Sequence, residues 1–194
     1  MSIKPYPCGV LTHPTIDLML KLVRENDIKP NEIDAVKVFA GSNILNPIRY
    51  PVAANHLQAK FSLPAALAMI ALSRRAGKKE FSDAFVGAAP MQAMQRKITT
   101  ELDLEIEKMG FDKMRSRITI RLNNRKQVEG WADERYRGGP ENPLTDTEVE
   151  AKVRSCCEGV LAGARQMALI DAAWSVTKLA DAGNLMVMMN QLHT

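Results

Sequence analysis

The chain has 194 residues, 26 Lys+Arg against 22 Asp+Glu for a formal charge of +4, and 46% hydrophobic residues. That is one domain or one and a half with apolar material for a core of its own, and the interspersed charge excludes a disordered tail, a collagen-like repeat or a low-complexity tract. The longest apolar run, Leu63 to Leu72, is about half of the roughly 20 residues a membrane span needs and contains a proline, so no transmembrane helix is expected.

The N-terminal Met1-Ser2-Ile3-Lys4-Pro5-Tyr6-Pro7-Cys8 lacks the apolar run of a signal peptide, and a cytoplasmic location is expected. Pro14 stands where a first helical turn tolerates it, and Ile16, Met19, Leu20 and Val23 recur at helical spacing, which predicts a helix over 14–25. Lys29-Pro30-Asn31 is a turn before a strand from Ile33 to Ala40, closed by Gly41-Ser42-Asn43. Asn46 to His56 holds two prolines and no clear period, and reads as an irregular loop of the kind that often lines a site.

Ser62 is placed to cap a helix over 62–76, with Pro64 in its first turn and Arg74, Arg75 and Gly77 at the end where cations and a terminal glycine are favoured. Nearly every position from Leu63 to Leu72 is apolar, so this is the core helix. After a short helix over 91–97, Ile98, Thr100, Leu102, Leu104 and Ile106 alternate with polar residues, the period of a strand with one wet face. Residues 116–132, turning at Asn123-Asn124-Arg125, read as a hairpin in an antiparallel sheet. The run Arg137-Gly138-Gly139-Pro140-Glu141-Asn142-Pro143 breaks the chain into an α+β domain, residues 1–138, and helices over 144–194. Those begin with a Thr145/Glu148 capping box, continue with a helix from about Ala164 to Leu179, and end in a methionine-rich segment after Gly183. Their apolar faces around Met167, Ile170, Trp174, Met186 and Met189 are expected to be covered in a dimer interface or against the sheet.

Cys8, Cys156 and Cys157 form no CxxC pair, and the histidines are His13, His56 and His193, so reduced, buried thiols are expected and no metal site. Gly138-Gly139-Pro140 has neither the preceding strand nor the spacing of a phosphate cradle. Arg115, Arg117, Arg121 and Arg125 form a basic strip that reads as a solvated face; nucleic-acid binding would want aromatics between the charges or a larger basic excess.

Three clusters remain: Lys4-Pro5-Tyr6-Pro7-Cys8-Gly9 with Thr12-His13-Pro14 and Ile16-Asp17; Ala59-Lys60-Phe61-Ser62-Leu63-Pro64; and Gly139-Pro140-Glu141-Asn142-Pro143-Leu144. In order and spacing they resemble the C-terminal part of the MmgE/PrpD family, which includes 2-methylcitrate dehydratase, cis-aconitate decarboxylase and an iminodisuccinate epimerase. The resemblance implies an α+β lid that follows a helical domain, and cofactor-independent lyase or isomerase chemistry on small di- or tricarboxylates. It further implies that the helical domain, with its proton-moving histidines and aspartate, lies outside these 194 residues: either they are a piece of a longer enzyme, or a separate chain supplies the missing half. Such a chain alone is expected to bind weakly and turn over nothing, and to act as a homo-oligomer. A non-catalytic binding or assembly module derived from the same fold is the alternative.

On this resemblance Lys4 faces the substrate carboxylate, from the wall of a concavity whose floor lies elsewhere; as a plain residue it is a solvated lysine. Gly9 stands where some decarboxylase-like members carry a histidine. His13, at a helix start, could meet an anion or simply cap the helix. Arg49 and Tyr50 occupy the loop region where the family's lid contributes a tyrosine. Lys60 with the helix capped by Ser62 could form an anion pocket, although the same serine is needed as a cap. The candidate catalytic residues are therefore Lys4, His13 and Tyr50, and the candidate binding residues Arg49, Lys60 and Ser62.

Overall fold

A computed structural model describes residues 1–190; His193 lies outside them. The chain forms two compact units, Met1–Pro143 and Leu144–Thr194.

The first unit is α+β. A 3-10 turn at Val10–Thr12 leads into α1 (His13–Glu25), followed by β1 (Ile33–Ala40), α2 (Ser42–Leu45), α3 (His56–Ala59) and α4 (Leu63–Ser73). Then come α5 (Asp83–Val86), α6 (Ala89–Gln95), β2 (Ile98–Leu102), α7 (Leu104–Lys108), β3 (Ser116–Leu122) and β4 (Gln127–Trp131). The sheet order is β2-β1-β3-β4. β3 pairs antiparallel with both β1 and β4, but β1 and β2 run parallel, so the sheet is mixed rather than antiparallel throughout. The reason is the connection: five helices, α2 to α6, lie between β1 and β2, and a crossover of that length returns the chain in the same direction, as a tight hairpin cannot.

Alternation puts Val36, Val38, Ile118, Ile120 and Val128 on the inner face of the sheet, where all are buried. α1 covers that face with Ile16, Met19, Leu22 and Val23, and α4 is buried at every position from Leu63 to Ala71. No other arrangement suits α4, which has no polar stripe to offer to water.

Several local expectations are corrected. The alternating run from Ile98 to Ile106 is not one strand: Asp103 Oδ1 accepts from the Glu105 and Ile106 amides at 2.9 and 3.2 Å, capping α7 and ending β2 at Leu102. Ile98 and Ile106 at the ends of the run are buried, while Leu102 and Leu104 are exposed. The core helix stops at Ser73, before Gly77, because Arg74 itself takes the left-handed conformation at φ 54°. Its guanidinium meets Asp27, also at positive φ, at 2.6 Å, and this contact with the Lys29 ammonium holds the Asp27 carboxyl down to about 2. The arginine strip is largely paired: Arg115 with Glu134 and Asp112, Arg121 with Asp34, and Arg117 stacked 4.2 Å from the Phe39 ring centre.

The second unit holds α8 (Asp146–Cys157), α9 (Gly163–Trp174) and α10 (Gly183–Asn190). The Thr145/Glu148 capping box is formed, while α9 ends at Trp174 and a 3-10 turn at Val176–Lys178 replaces its expected last turn. Ile170 is buried; Met167, Trp174, Met186 and Met189 are exposed. Cys8 is buried as expected, but Cys156 is exposed and Cys157 only half-buried, so the vicinal thiols do not pack in a core. Among the described residues no helix is long and apolar enough to cross a membrane.

Leu67 lies in the middle of α4 with no exposed surface. Replacing it with alanine should lower the unfolding free energy by about 2–5 kcal/mol through lost burial and the cavity left behind, read as a shifted urea midpoint at unchanged slope.

Candidate functional site

The N-terminal segment is a strap laid over the first unit and held at several points. Pro5 and Pro7 remove two amides and fix two φ angles, so the segment cannot coil into a helix. The Ile3 amide donates to the Gly138 carbonyl at 2.8 Å, and the Gly9 amide to the Lys60 carbonyl at 3.3 Å. Between them Tyr6 and Cys8 are buried, and Thr12 Oγ1 donates to the Gly9 carbonyl at 2.8 Å. Burial pushes the Cys8 thiol up to about 11, against the opposing pull of its contact with Thr12 and of the Lys4 charge, so it is no nucleophile at neutral pH. Lys4 remains exposed, its Nζ 3.4 Å from the Cys8 carbonyl oxygen.

A second contact extends the cluster, since the Arg49 amide donates to the Phe61 carbonyl at 3.1 Å. Thus two backbone hydrogen bonds, Gly9 to Lys60 and Arg49 to Phe61, tie the strap and the loop carrying Arg49 and Tyr50 to the turn before α4. The loop is irregular from Asn46 to Asn55, as expected, but α3 already begins at His56. Ser62 is 1% exposed, and its Oγ accepts from the Ala65 amide at 3.1 Å. Its hydroxyl is therefore committed to the helix cap, and with Leu63 and Pro64 also buried the end of α4 is closed over by its own residues. His13 does not stand at the surface: it has no exposure and its ring lies edge-on to Tyr6, centres 5.4 Å apart.

What remains accessible is a cationic group set. Lys4 and Arg49 are exposed, Lys60 is half-buried, and Tyr50 is 37% exposed. Among the described residues none of the three cations has a carboxylate at ion-pair distance, a state they share with Lys21, Arg24, Arg75, Arg96 and Lys126, whereas Lys37, Arg74, Lys108, Arg115, Arg121 and Arg135 are paired. Phe61 and Leu57 add exposed apolar surface on the same turn. A cavity of about 760 Å³ elsewhere in the unit is lined by Asp17, Lys21, Trp131 and Arg137, among others, and not by Lys4, Arg49, Tyr50 or Lys60. The cationic set thus occupies open surface rather than the wall of that cavity.

Sequence reasoning gave no role to the cluster behind the strap. Tyr6 OH donates to Asp17 Oδ1 at 2.6 Å, Arg137 Nε donates to the same oxygen at 3.0 Å, and an Arg137 terminal nitrogen donates to Tyr6 OH at 3.0 Å. Burial first, and then the Asp17 charge, raise the Tyr6 pKa well above the usual phenol value, so Tyr6 stays a donor. The one signal in the sequence is Asp17, a carboxylate four residues after His13 and one after Ile16 on a helix whose neighbouring positions are apolar.

Comparison with protein families finds one that matches, described as MmgE/PrpD C-terminal domain, over residues 6–176. Lys4 precedes the matched span by two residues. No curated protein matches the chain.

Gly138 has φ +85°, and a Cβ there would overlap the Ile3 carbonyl oxygen. Gly138→Ala should therefore cost roughly 1–2 kcal/mol for the left-handed backbone, with a further penalty for displacing the strap, measured by urea unfolding. Gly159→Ala, at φ +77° with open space around it, supplies the control for the backbone penalty alone.

Proposed function

The chain belongs to the MmgE/PrpD family through its C-terminal domain, and from that premise we propose that it is the lid part of a lyase or isomerase acting on small di- or tricarboxylates such as 2-methylcitrate. The observation that carries this reading is the cationic set. Three basic side chains without carboxylate partners among the described residues stand on segments tied together by the Gly9–Lys60 and Arg49–Phe61 hydrogen bonds. A polycarboxylate is the ligand class whose charge such a set suits, since each carboxylate can take a charge-assisted hydrogen bond from an ammonium or guanidinium.

In the proposed mechanism Lys4, Arg49 and Lys60 hold the carboxylates. A base on the helical domain, contributed by another part of the protein or by a separate chain, removes a proton from the carbon next to a carboxylate. The electron pair passes first onto that carboxylate, where an adjacent cation stabilises the enolate-like charge. For dehydration the pair then forms a carbon–carbon double bond as the β-hydroxyl leaves with a proton as water; for epimerisation a proton returns to the other face. In this reading Tyr50 donates to the leaving or bound hydroxyl. Acid–base groups suffice for these steps. Ser62 serves by holding the Lys60 turn, and His13 by backing Tyr6.

The test mixes the full chain with a protein corresponding to the family's helical domain and follows 2-methylcitrate and cis-aconitate by absorbance of the unsaturated product or its loss. Turnover should require both components. Lys4→Met and Lys60→Met should each weaken citrate binding by about 10–100-fold, the loss of one charge-assisted contact of roughly 1.5–3 kcal/mol. Absence of turnover in the mixture, with citrate affinity indifferent to both substitutions, would leave the chain a non-catalytic binding or assembly module instead.

A further inference from the structure

We propose that Arg137, with Asp17 and Tyr6, is a positioning latch that fixes Lys4 for carboxylate binding; this rests on the reading of Lys4 given above. The latch joins Tyr6 from the strap and Asp17 from α1 to Arg137, from the distant turn beyond β4. All three side chains meet at two oxygens. Asp17 Oδ1 accepts from both Tyr6 OH and Arg137 Nε, and Tyr6 OH accepts from Arg137 in turn. The guanidinium carbon also lies 5.3 Å from the centre of the Tyr6 ring. Only a planar fork with separately directed N–H groups serves both oxygens at once, so lysine is no equivalent here.

The consequence falls on Lys4. Arg137 grips Tyr6 through its side chain, while the next residue, Gly138, grips Ile3 through its carbonyl. Two neighbouring residues thus clamp the strap on both sides of Lys4, across a segment that includes Pro5. Each backbone residue ordered in advance spares about 1–2 kcal/mol of conformational entropy at the moment of binding. Gly138 fits because a side chain would strike the Ile3 carbonyl. The arrangement leaves the ammonium in water and the backbone beneath it fixed. A lysine held merely by chain connectivity would not need a buried tyrosine, a carboxylate and a guanidinium behind it.

The experiment uses the full chain with Arg137→Met, Arg137→Lys, Tyr6→Phe and Lys4→Met, each checked for native circular dichroism. Amide hydrogen exchange of the strap is followed by mass spectrometry, and citrate binding by NMR titration. Arg137→Met should speed exchange of the Ile3 and Gly9 amides at least tenfold and weaken citrate about as much as Lys4→Met does, although the ammonium is still present. Arg137→Lys should fall between, and Lys4→Met should weaken citrate with exchange as in the unaltered chain. Tyr6→Phe removes only the shared hydroxyl and keeps the ring, so it reports on the latch even if Arg137→Met does not fold; it should move both readouts in the same direction. Unchanged exchange in Tyr6→Phe and the folded Arg137 variants overturns the latch. Faster exchange with citrate affinity intact, while Lys4→Met loses it, overturns the positioning role and leaves a structural contact. If the unaltered chain binds no citrate, the carboxylate reading itself falls, and exchange in the variants still decides the latch.

Discussion

The structure is organised by one constraint: α4 has no face that tolerates water. Its residues from Leu63 to Ala71 are all buried, so the chain must supply cover on every side. α1, α6 and the inner face of the sheet do this. Because α4 is enclosed, its first residue is fixed in the interior, and Ser62 must cap it there, since an unsatisfied buried amide is costly. The turn before the cap then presents two carbonyls, of Lys60 and Phe61, that point away from the helix. The strap and the Arg49 loop hydrogen-bond to those two carbonyls. The position of the cationic set is in this sense a by-product of core packing: the helix that cannot move sets the turn, and the turn sets what hydrogen-bonds to it.

Charge is distributed on the first unit in a way that packing alone does not require. Exposed ion pairs are each worth little, typically below about 1 kcal/mol, yet several cations on the sheet and loops are matched with carboxylates at close range. At the Tyr6–Asp17–Arg137 cluster the match is partly buried and made of directed hydrogen bonds, which gives it geometric content beyond Coulomb attraction. Lys4, Arg49 and Lys60 belong, with Lys21, Arg24, Arg75, Arg96 and Lys126, to the cations of this unit that no carboxylate among the described residues matches. Among the described residues no carboxylate lies at ion-pair distance from these three to compete for an incoming anion.

Much of this was legible in the sequence wherever one physical signal dominated. The 3.6-residue spacing of Ile16, Met19 and Val23, the unbroken apolarity after Leu63, and the alternation of Ile118, Ile120 and Leu122 each point to a single structure. The reading failed where two signals overlapped. Leu102, Leu104 and Ile106 keep the two-residue period of a strand, but Asp103 is also a strong helix cap, and the cap won. The antiparallel hairpin of β3 and β4 was legible from its turn, but the direction of β2 was not, because its parallel pairing with β1 follows from the long helical crossover and from no residue within either strand. At the site, the motif residues Lys4, Gly9, Lys60 and Phe61 were visible, but not that backbone amides and carbonyls would be what joins them. Arg137 read only as the edge of a glycine-rich break, since its partners lie 120 and 131 positions away and a single sequence carries no trace of such a pairing.

An exposed lysine on an open surface is a poor receptor by itself, and the reason is dielectric. Two unit charges about 4 Å apart gain roughly 1 kcal/mol in bulk water and about 4 kcal/mol at an effective dielectric constant near 20. On the proposed reading the cationic set of this unit is one wall, and the opposing wall excludes water when the two meet. The same three cations would then hold a polycarboxylate loosely while open and several times more strongly once covered. A lid built so spends no stability on a closed pocket of its own, and it keeps a tight hold on the substrate only in the state in which the opposing base is also in reach. The latch behind Tyr6 matters most in that closed state, since the stronger the local field, the more a misplaced ammonium costs.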